Sequence, residues 1–222
     1  RAMTFGLRRL VLAAAFAFAA APATAQIETQ ARQAFIMDVK TGAVLLEKNA
    51  DELMPPSSMS KMMTAHMVFE KLQKGEIKLT DEFPVSERAW RIQGSKMFVP
   101  LGGRVKVEDL IRGIVIQSGN DACIALAEGI AGNESDFVRM MNDRARELGL
   151  TKSNFTNPHG LPDPDMRVTV RELARLTQHI IRAYPQYYPW YGEREFTWNK
   201  IRQQNRNPLL AMNIGADGLK TG

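Results

Sequence analysis

Pro55-Pro56-Ser57-Ser58-Met59-Ser60-Lys61-Met62-Met63-Thr64-Ala65-His66-Met67-Val68 is the stretch on which the fold turns. Two prolines stop whatever element precedes them, because proline lacks a backbone N–H and fixes φ. A serine, Ser57 or Ser58, then offers a side-chain oxygen to cap a helix. Met59, Met62, Met63, Met67 and Val68 recur at helical spacing, so one face of that helix is apolar and buried. Gly75 ends it. A serine at the mouth of a helix with Lys61 three residues on has chemical meaning. Positions i and i+3 share a face, so the amine can reach the hydroxyl. A hydroxyl is a weak nucleophile until a base lies within hydrogen-bond reach. The helix start adds unpaired N–H groups and a positive dipole end, and the Ser58 N–H can face a developing oxyanion.

Upstream, Ala34 to Met37 and Ala43 to Leu46 flank Asp38-Val39-Lys40-Thr41-Gly42. Two short apolar runs about a glycine-containing turn predict a β-hairpin. Downstream, helices are expected from Val107 to Gln117, from Asn120 to Ile130, and from Phe137 to Leu148 with polar starts at Asn133 and Ser135. Thr169-Val170-Arg171-Glu172 fits a capping box that opens a helix reaching about Arg182. Asn157 to Pro162 is a loop by its proline and glycine content. Glu195 to Ile201 alternates like one strand, and Gly218 to Gly222 is placed at the start of another. A hairpin, a large helical insertion and a return to strand describe a single α/β domain.

Composition narrows the function classes. The 222 residues carry 29 basic and 24 acidic side chains, a net of 29 − 24 = +5. Arg1, Arg8 and Arg9 lie in an acid-free N-terminal segment; without them the balance is 26 − 24 = +2, too little to support nucleic-acid binding. That segment has the order of an export signal: Arg8-Arg9, an apolar run from Leu10 to Ala20, then Ala23-Thr24-Ala25 before Gln26. Residues 1–25 are therefore expected to be a signal peptide and residues 26–222 a catalytic domain working outside the cytoplasm. The single cysteine, Cys123, sits in the apolar stretch Ala122 to Ala127 and reads as a small buried hydrophobe. No cluster of His, Cys and carboxylates suggests a metal, and no cofactor motif is present. His66 and His179 fall within helices and read as structural; with no evident His–Asp pairing, a Ser-His-Asp triad is not expected.

Two further tripeptides matter. Ser118-Gly119-Asn120, between two helical stretches, sets a hydroxyl and an amide two residues apart, although alone it reads first as a helix cap. In Lys220-Thr221-Gly222 a cation and a hydroxyl can hold a carboxylate, and the glycine lets a substrate backbone come close. Lys40-Thr41-Gly42 repeats those three residues at the hairpin turn, where they are structural. Order and spacing separate the two copies. Ser58 precedes Ser118 by about 60 residues, and Ser118 precedes Lys220 by about 102, which is the arrangement of S-x-x-K, S-D-N and K-T-G in penicillin-binding proteins and class A β-lactamases.

On these motifs the chain resembles the low-molecular-mass penicillin-binding proteins that are D-alanyl-D-alanine carboxypeptidases, from about Ala34 to Gly222. Ser60-Lys61-Met62-Met63-Thr64, Ile116 to Cys123, His159-Gly160-Leu161, Asn205-Arg206-Asn207 and Asp217 to Gly222 carry the resemblance, and Gly119 in place of Asp is typical of that group. The resemblance implies a β-lactamase/transpeptidase-like fold, an antiparallel sheet flanked by helices with a large helical lobe. It implies Ser58 as acylating nucleophile, a neutral Lys61 as its base and Ser118 as proton relay to the leaving amine. Asn120 would bind the substrate amide, and Lys220 and Thr221, beside Gly222, the terminal carboxylate, with Arg206 behind them. Gly94, Ser95 and His159 would line the cleft; for His159 a loop-packing role is equally open. The implied substrate is the peptidoglycan stem pentapeptide, with β-lactam antibiotics as acylating inhibitors, in the periplasm or on the outer face of the cytoplasmic membrane.

In relatives a second oxyanion N–H, the last sheet strands, a β-rich domain and an anchoring amphipathic helix follow the K-T-G. The sequence is accordingly read as C-terminally incomplete, with membrane association expected only through that later segment. Three alternatives stay open: a D,D-endopeptidase, a β-lactamase, and a non-catalytic penicillin sensor. A class A β-lactamase needs a glutamate to activate the deacylating water, and residues 160–167 offer only Asp163 and Asp165.

Overall fold

The computed structural model describes residues 28–222, and the expected signal peptide lies outside the described residues. The chain begins with strands β1 (Ala34–Met37) and β2 (Val44–Lys48), paired antiparallel with an irregularity between Ile36 and Met37. Their turn is held by Asp38, whose carboxylate accepts from the Thr41 N–H at 2.6 Å and the Thr41 hydroxyl at 2.8 Å, while Gly42 takes a φ of +77°. The 3₁₀ turn Ser57–Ser60 then leads into α1 (Lys61–Gln73). No serine side chain caps that start, contrary to expectation: Pro56 and Ser60 occupy the cap positions without a side-chain bond. The serine oxygens are left for other partners. Helix α1 ends at Lys74, and Gly75 turns the chain with a φ of +70°.

Strands β3 (Glu82–Pro84) and β4 (Arg104–Lys106) form a second antiparallel pair around the short helix α2 (Glu87–Arg91). Helices α3 (Val107–Val115), α4 (Asn120–Ala131) and α5 (Glu134–Glu147) make up the helical lobe. Asn133, rather than Ser135, caps α5 by accepting from the Asp136 N–H. Helix α6 (Val170–Ala183) begins at Thr169, whose hydroxyl accepts from the Glu172 N–H. Only that half of the expected box forms. The Glu172 carboxylate instead accepts from the Lys152 N–H at 2.9 Å and the Ser153 hydroxyl at 2.6 Å, because a buried carboxylate goes where donors are free of other partners.

Residues 195–201 are not one strand. Asn199 and Lys200 adopt φ values of +47° and +64°, a left-handed pair of the kind that closes a two-residue hairpin. The chain folds back there into β5 (Glu195–Trp198) and β6 (Ile201–Gln204). Alternation alone does not reveal such a reversal, since both arms share the period of two. Residues 218–222 lie in no strand among the described residues. The antiparallel strands are thus spread over three two-stranded sheets.

Residues 31–222 form one compact unit. Its core runs along α1 (Met63, Ala65, Val68, Phe69), α3 (Leu110, Ile111, Ile114) and α4 (Ala122 to Ala127), closed by Phe137, Phe155, Leu176 and Tyr191. Helix α4 is buried around its first two turns, which fixes its N-terminus against α1. His66 is enclosed in that core, edge-on to His179 at 5.1 Å, and burial together with His179 and Arg144 depresses its pKa to about 3. It is a neutral packing residue. Cys123 is fully buried, with its thiol pushed up to about 12 by desolvation.

Candidate active site

Lys61, only 1% exposed, is the centre around which the site is built. Its Nζ donates to Ser58 Oγ at 3.2 Å, to Asn120 Oδ1 at 2.8 Å and, in a short contact, to the main-chain carbonyl of His159. Three acceptors use all three protons of an ammonium. Burial is the main force lowering the Lys61 pKa, and Arg206 adds to it. Asp121 pulls the other way. Cys123, which is neutral at pH 7, supplies no compensating charge. When Lys61 is neutral, one of the three contacts must reverse. The only partner with a proton to give is the Ser58 hydroxyl, which then donates to Nζ. The protonation state of Lys61 thus sets whether Ser58 Oγ accepts or donates in this contact.

Three segments position those partners. The Ser57–Ser60 turn holds Ser58, and Gly160 packs directly on it: a Cβ there would lie 2.0 Å from the Ser57 carbonyl oxygen and 2.5 Å from Ser60 Oγ, so only glycine fits. The loop at 157–161 is braced by Asn157, whose side chain accepts from the Gly160 N–H at 2.6 Å and donates to Leu161 O at 3.1 Å. Thr64 Oγ1 ties it to α1 by donating to Pro158 O at 2.6 Å. The start of α4 presents Asn120, whose Nδ2 donates to Gln93 O and whose N–H donates to Ser95 O, both at 2.7 Å. Gly94 lies so close that a Cβ would sit 2.8 Å from Asn120 Nδ2. Gly94 and Ser95 therefore cradle Asn120.

Ser118 is not the helix cap; Gly119 occupies that position. Ser118 instead takes a φ of +65° and its buried Oγ has no hydrogen-bond partner. A non-glycine residue held left-handed, with an unpaired buried hydroxyl, is the kind of strain and unsatisfied polarity found at functional sites.

His159 contributes its carbonyl rather than its imidazole. The ring Nδ1 accepts from the Leu161 N–H at 3.2 Å, and Nε2 faces Glu134 at 3.7 Å, too long for a hydrogen bond. Burial opposes ionisation of Glu134, yet His159 and Arg88 together hold its carboxyl below the ordinary glutamate value. The ring anchors the loop through the Leu161 N–H.

Lys220, Thr221 and Gly222 close the site from the other side. A Cβ on Gly222 would meet Met59 Cγ at 3.1 Å and Pro56 O at 3.3 Å, so this segment lies against the Ser57–Ser60 turn. Lys220 Nζ donates to Thr221 O at 2.8 Å. Burial first, then the neighbouring Lys61, then Arg206 depress the Lys220 pKa to about 7. Asn207 Nδ2 donates to Gly218 O and the Tyr188 hydroxyl donates to Asp217 Oδ1, pinning the approach to this segment. Arg206 is exposed, its N–H donating to Ile116 O at 3.3 Å.

The residue that motif reading passed over is Asp121. Its buried carboxylate accepts from four main-chain N–H groups, those of Met97, Ala122, Phe98 and Val99, at 2.8–3.1 Å. It clasps residues 97–99 to the start of α4, beside Ser118. A charged residue followed by Ala122 to Ala127 was the available signal, since ionised groups are buried only when paired or hydrogen-bonded.

Comparison with known proteins identifies the family and the fold. The sequence model of the D-alanyl-D-alanine carboxypeptidase family matches residues 18–222. The chain is 44% identical over 229 residues to D-alanyl-D-alanine carboxypeptidase DacC of Escherichia coli K12, covering 100% of this chain and 57% of that protein. It is 46% identical over 191 residues to D-alanyl-D-alanine carboxypeptidase DacA of Haemophilus influenzae, covering 84% and 49%. Penicillin binding protein 5 from Haemophilus influenzae superposes with a TM-score of 0.86 at 44% identity, over 88% of this chain and 58% of that one. The chain thus spans about half the length of the curated relatives it matches.

Proposed function

The chain belongs to the D-alanyl-D-alanine carboxypeptidase family of serine peptidases, and from that premise we propose that it forms an acyl-enzyme on Ser58 and removes the terminal D-alanine from peptidoglycan stem pentapeptides. The observation that carries this reading is the buried Lys61 amine, donating at once to Ser58 Oγ, Asn120 Oδ1 and His159 O. Neutral Lys61 takes the Ser58 proton as Oγ attacks the carbonyl between the last two residues. The oxyanion forms in front of the Ser58 N–H, in the first turn of a helical segment where main-chain N–H groups lack helical acceptors. Ser118, its hydroxyl uncommitted, carries the proton to the departing amine, and the C–N bond breaks. Water then cleaves the Ser58 ester, with Lys61 as general base. Lys220, Thr221 and Arg206 hold the terminal carboxylate; Asn120 holds an amide on the acyl side, next to Gly94 and Ser95.

A penicillin places its own amide and carboxylate on the same groups, and its opened ring cannot leave as D-alanine does. β-Lactams are therefore inhibitors in this reading. A class A β-lactamase is disfavoured because Glu172 is spent on Lys152 and Ser153 in the frame of α6. The working compartment is outside the cytoplasm, with residues 1–25 as export signal and residues 26–222 as catalytic domain.

The test uses the full-length protein and labelled penicillin. One label per molecule is expected, lost in Ser58→Ala together with D-alanine release. Label on Ser57 or Ser60, or undiminished release from Ser58→Ala, would overturn the assignment.

A further inference from the structure

His159 keeps one polar atom that the chemistry above leaves unexplained. The side chain is 4% exposed. Its Nδ1 accepts from the Leu161 N–H at 3.2 Å, so in the neutral ring the proton sits on Nε2. That buried Nε2 has no hydrogen-bond partner among the described residues. It faces Glu134 Oε2 at 3.7 Å. A buried donor left short of a full bond carries a desolvation cost and calls for a reason. Glu134 opens α5, and its other oxygen, Oε1, accepts at 2.7 Å from Nε of Arg88 on α2. The carboxylate thus lies between two donors that come from two different segments.

Both segments lead to Lys61. The loop that carries His159 gives that residue's carbonyl to Lys61 Nζ. Helix α2 runs on into Gln93, whose carbonyl accepts from Asn120 Nδ2 at 2.7 Å, and Asn120 Oδ1 in turn accepts from Lys61 Nζ at 2.8 Å. The contacts close a ring that leaves Lys61 through Asn120 and Gln93 and returns through Arg88, Glu134 and His159. The two segments also lie side by side, since a Cβ on Gly94 would stand 3.7 Å from Leu161 Cδ2. A neutral amine has two N–H groups and one lone pair. With Asn120 Oδ1 and His159 O taking the N–H groups, the lone pair is left for Ser58 Oγ. Its direction depends on where those two acceptors stand, because the amine ends a flexible four-carbon stem.

We propose that Glu134 is a positioning residue for acyl transfer, holding the His159 loop and α2 in register so that His159 O and Asn120 Oδ1 aim the Lys61 lone pair at Ser58. The proposal rests on the reading of Lys61 as the base of Ser58 and deepens it. Glu134 touches neither the substrate nor the reacting atoms; it acts through His159 on one side and α2 on the other. Arg88 is 54% exposed and Glu134 22%, so water screens the pull between them. The His159 arm is buried and carries more of the effect. Glutamine at 134 keeps the shape of the side chain but offers one acceptor oxygen where the carboxylate offers two. Its amide nitrogen would meet either the Arg88 guanidinium or the His159 Nε2–H, so only one arm of the bridge can form.

The experiment measures, in the full-length protein, the rate of penicillin acylation and the kcat and KM of D-alanine release. Glu134→Gln is expected to lower the acylation rate and kcat roughly tenfold, as for a small misplacement of a catalytic group. Lys61 serves both acylation and hydrolysis, so the two steps slow together and KM should hold within about twofold. Arg88→Ala should lower the same rates about two- to threefold, the worth of a partly exposed pair. Arg88→Lys, which keeps the cation, should restore them. In the Glu134→Gln background Arg88→Ala should have no further effect, because the bridge is already cut. Arg139→Ala, which breaks an exposed pair with Asp136 on the same helix, is the control and should leave every value unchanged. A change confined to KM, additive losses in the double variant, or undiminished acylation in Glu134→Gln would each overturn the positioning role. Should Glu134→Gln fail to fold, the Arg88 variants decide: a fall in kcat that lysine restores supports the bridge, and no fall overturns it. Ser58→Ala and Lys61→Arg are run in parallel. If both lose acylation, a negative result refutes Glu134 alone; if either is acylated normally, the reading beneath it fails.

Discussion

Lys40-Thr41-Gly42 and Lys220-Thr221-Gly222 are the same tripeptide in two settings. In the first, all three residues face solvent at a hairpin turn. Thr41 is spent on Asp38, and Gly42 is there for its φ of +77°. In the second, Lys220 is desolvated next to Lys61 and Arg206, which drives its pKa down to about 7. Gly222 is there for proximity, since a Cβ would crowd Met59 Cγ at 3.1 Å and Pro56 O at 3.3 Å. The comparison teaches that the chemistry belongs to the surroundings. A lysine's pKa is drawn down where burial and like charge act on it together.

The largest effect is expected at the residue that makes the second setting unlike the first. Lys61→Arg leaves a permanent cation where a neutral base is required. Acylation by penicillin should fall about 10²–10⁴-fold, the usual worth of a general base. Near-normal acylation rates in stopped-flow would show that Lys61 is not the base.

Next, the two lysines can be set against each other directly. Lys220→Ala removes a charged hydrogen bond to the substrate carboxylate, worth about 1.5–3 kcal/mol, and should lower kcat/KM for D-alanine release roughly 10- to 150-fold. Lys40→Ala, at an exposed turn, should leave it unchanged in the same assay. Equal effects would erase the distinction drawn here.

A smaller effect, about tenfold per pH unit, is expected in the pH profile of kcat/KM. The sign follows from the two lysines. Activity rises as Lys61 loses its proton, and falls as pH passes the Lys220 value of about 7, because only protonated Lys220 holds the carboxylate. Lys220→Arg should move the falling limb upward, out of the neutral range, since a guanidinium stays protonated. A falling limb that stays in place would assign it to another group.

The smallest effects separate the glycines. Gly42→Ala forces an L side chain into a left-handed conformation and should cost about 1–2 kcal/mol of stability, about 2–8 °C in Tm for a unit of this size, with catalysis intact. Gly222→Ala should leave Tm within experimental error, because no left-handed φ is required there, yet raise KM by crowding Met59. Calorimetry and kinetics on the same two variants decide the point.

Much of this site was legible because its components are local. The i, i+3 spacing of Ser58 and Lys61 is a property of a single helical turn, and the hairpin at Asp38 to Gly42 and the Thr169 cap depend on neighbours in sequence. The strand assigned to 195–201 failed for the same reason in reverse. Its reversal at Asn199-Lys200 includes a lysine at positive φ, which only pairing of β5 with β6 compels. Asp121 went unread because its four donors are defined by where residues 97–99 return in space.

The sequence by itself determined the candidate groups, their order along the chain and the helices near them, since residue type and short-range spacing suffice for each. Only the tertiary structure decided which atoms meet. Lys61 finds a carbonyl 98 residues away at His159, so the histidine serves through its backbone and its ring turns to Glu134. Lys220 is brought down to about 7 by burial first, with Lys61 and Arg206 adding to it. Phe98 is held out toward solvent by a carboxylate 23 residues further on. The physical reason is common to all three. Desolvation, close approach and hydrogen-bond satisfaction depend on everything that surrounds an atom, and what surrounds it is set by packing between segments far apart in the chain.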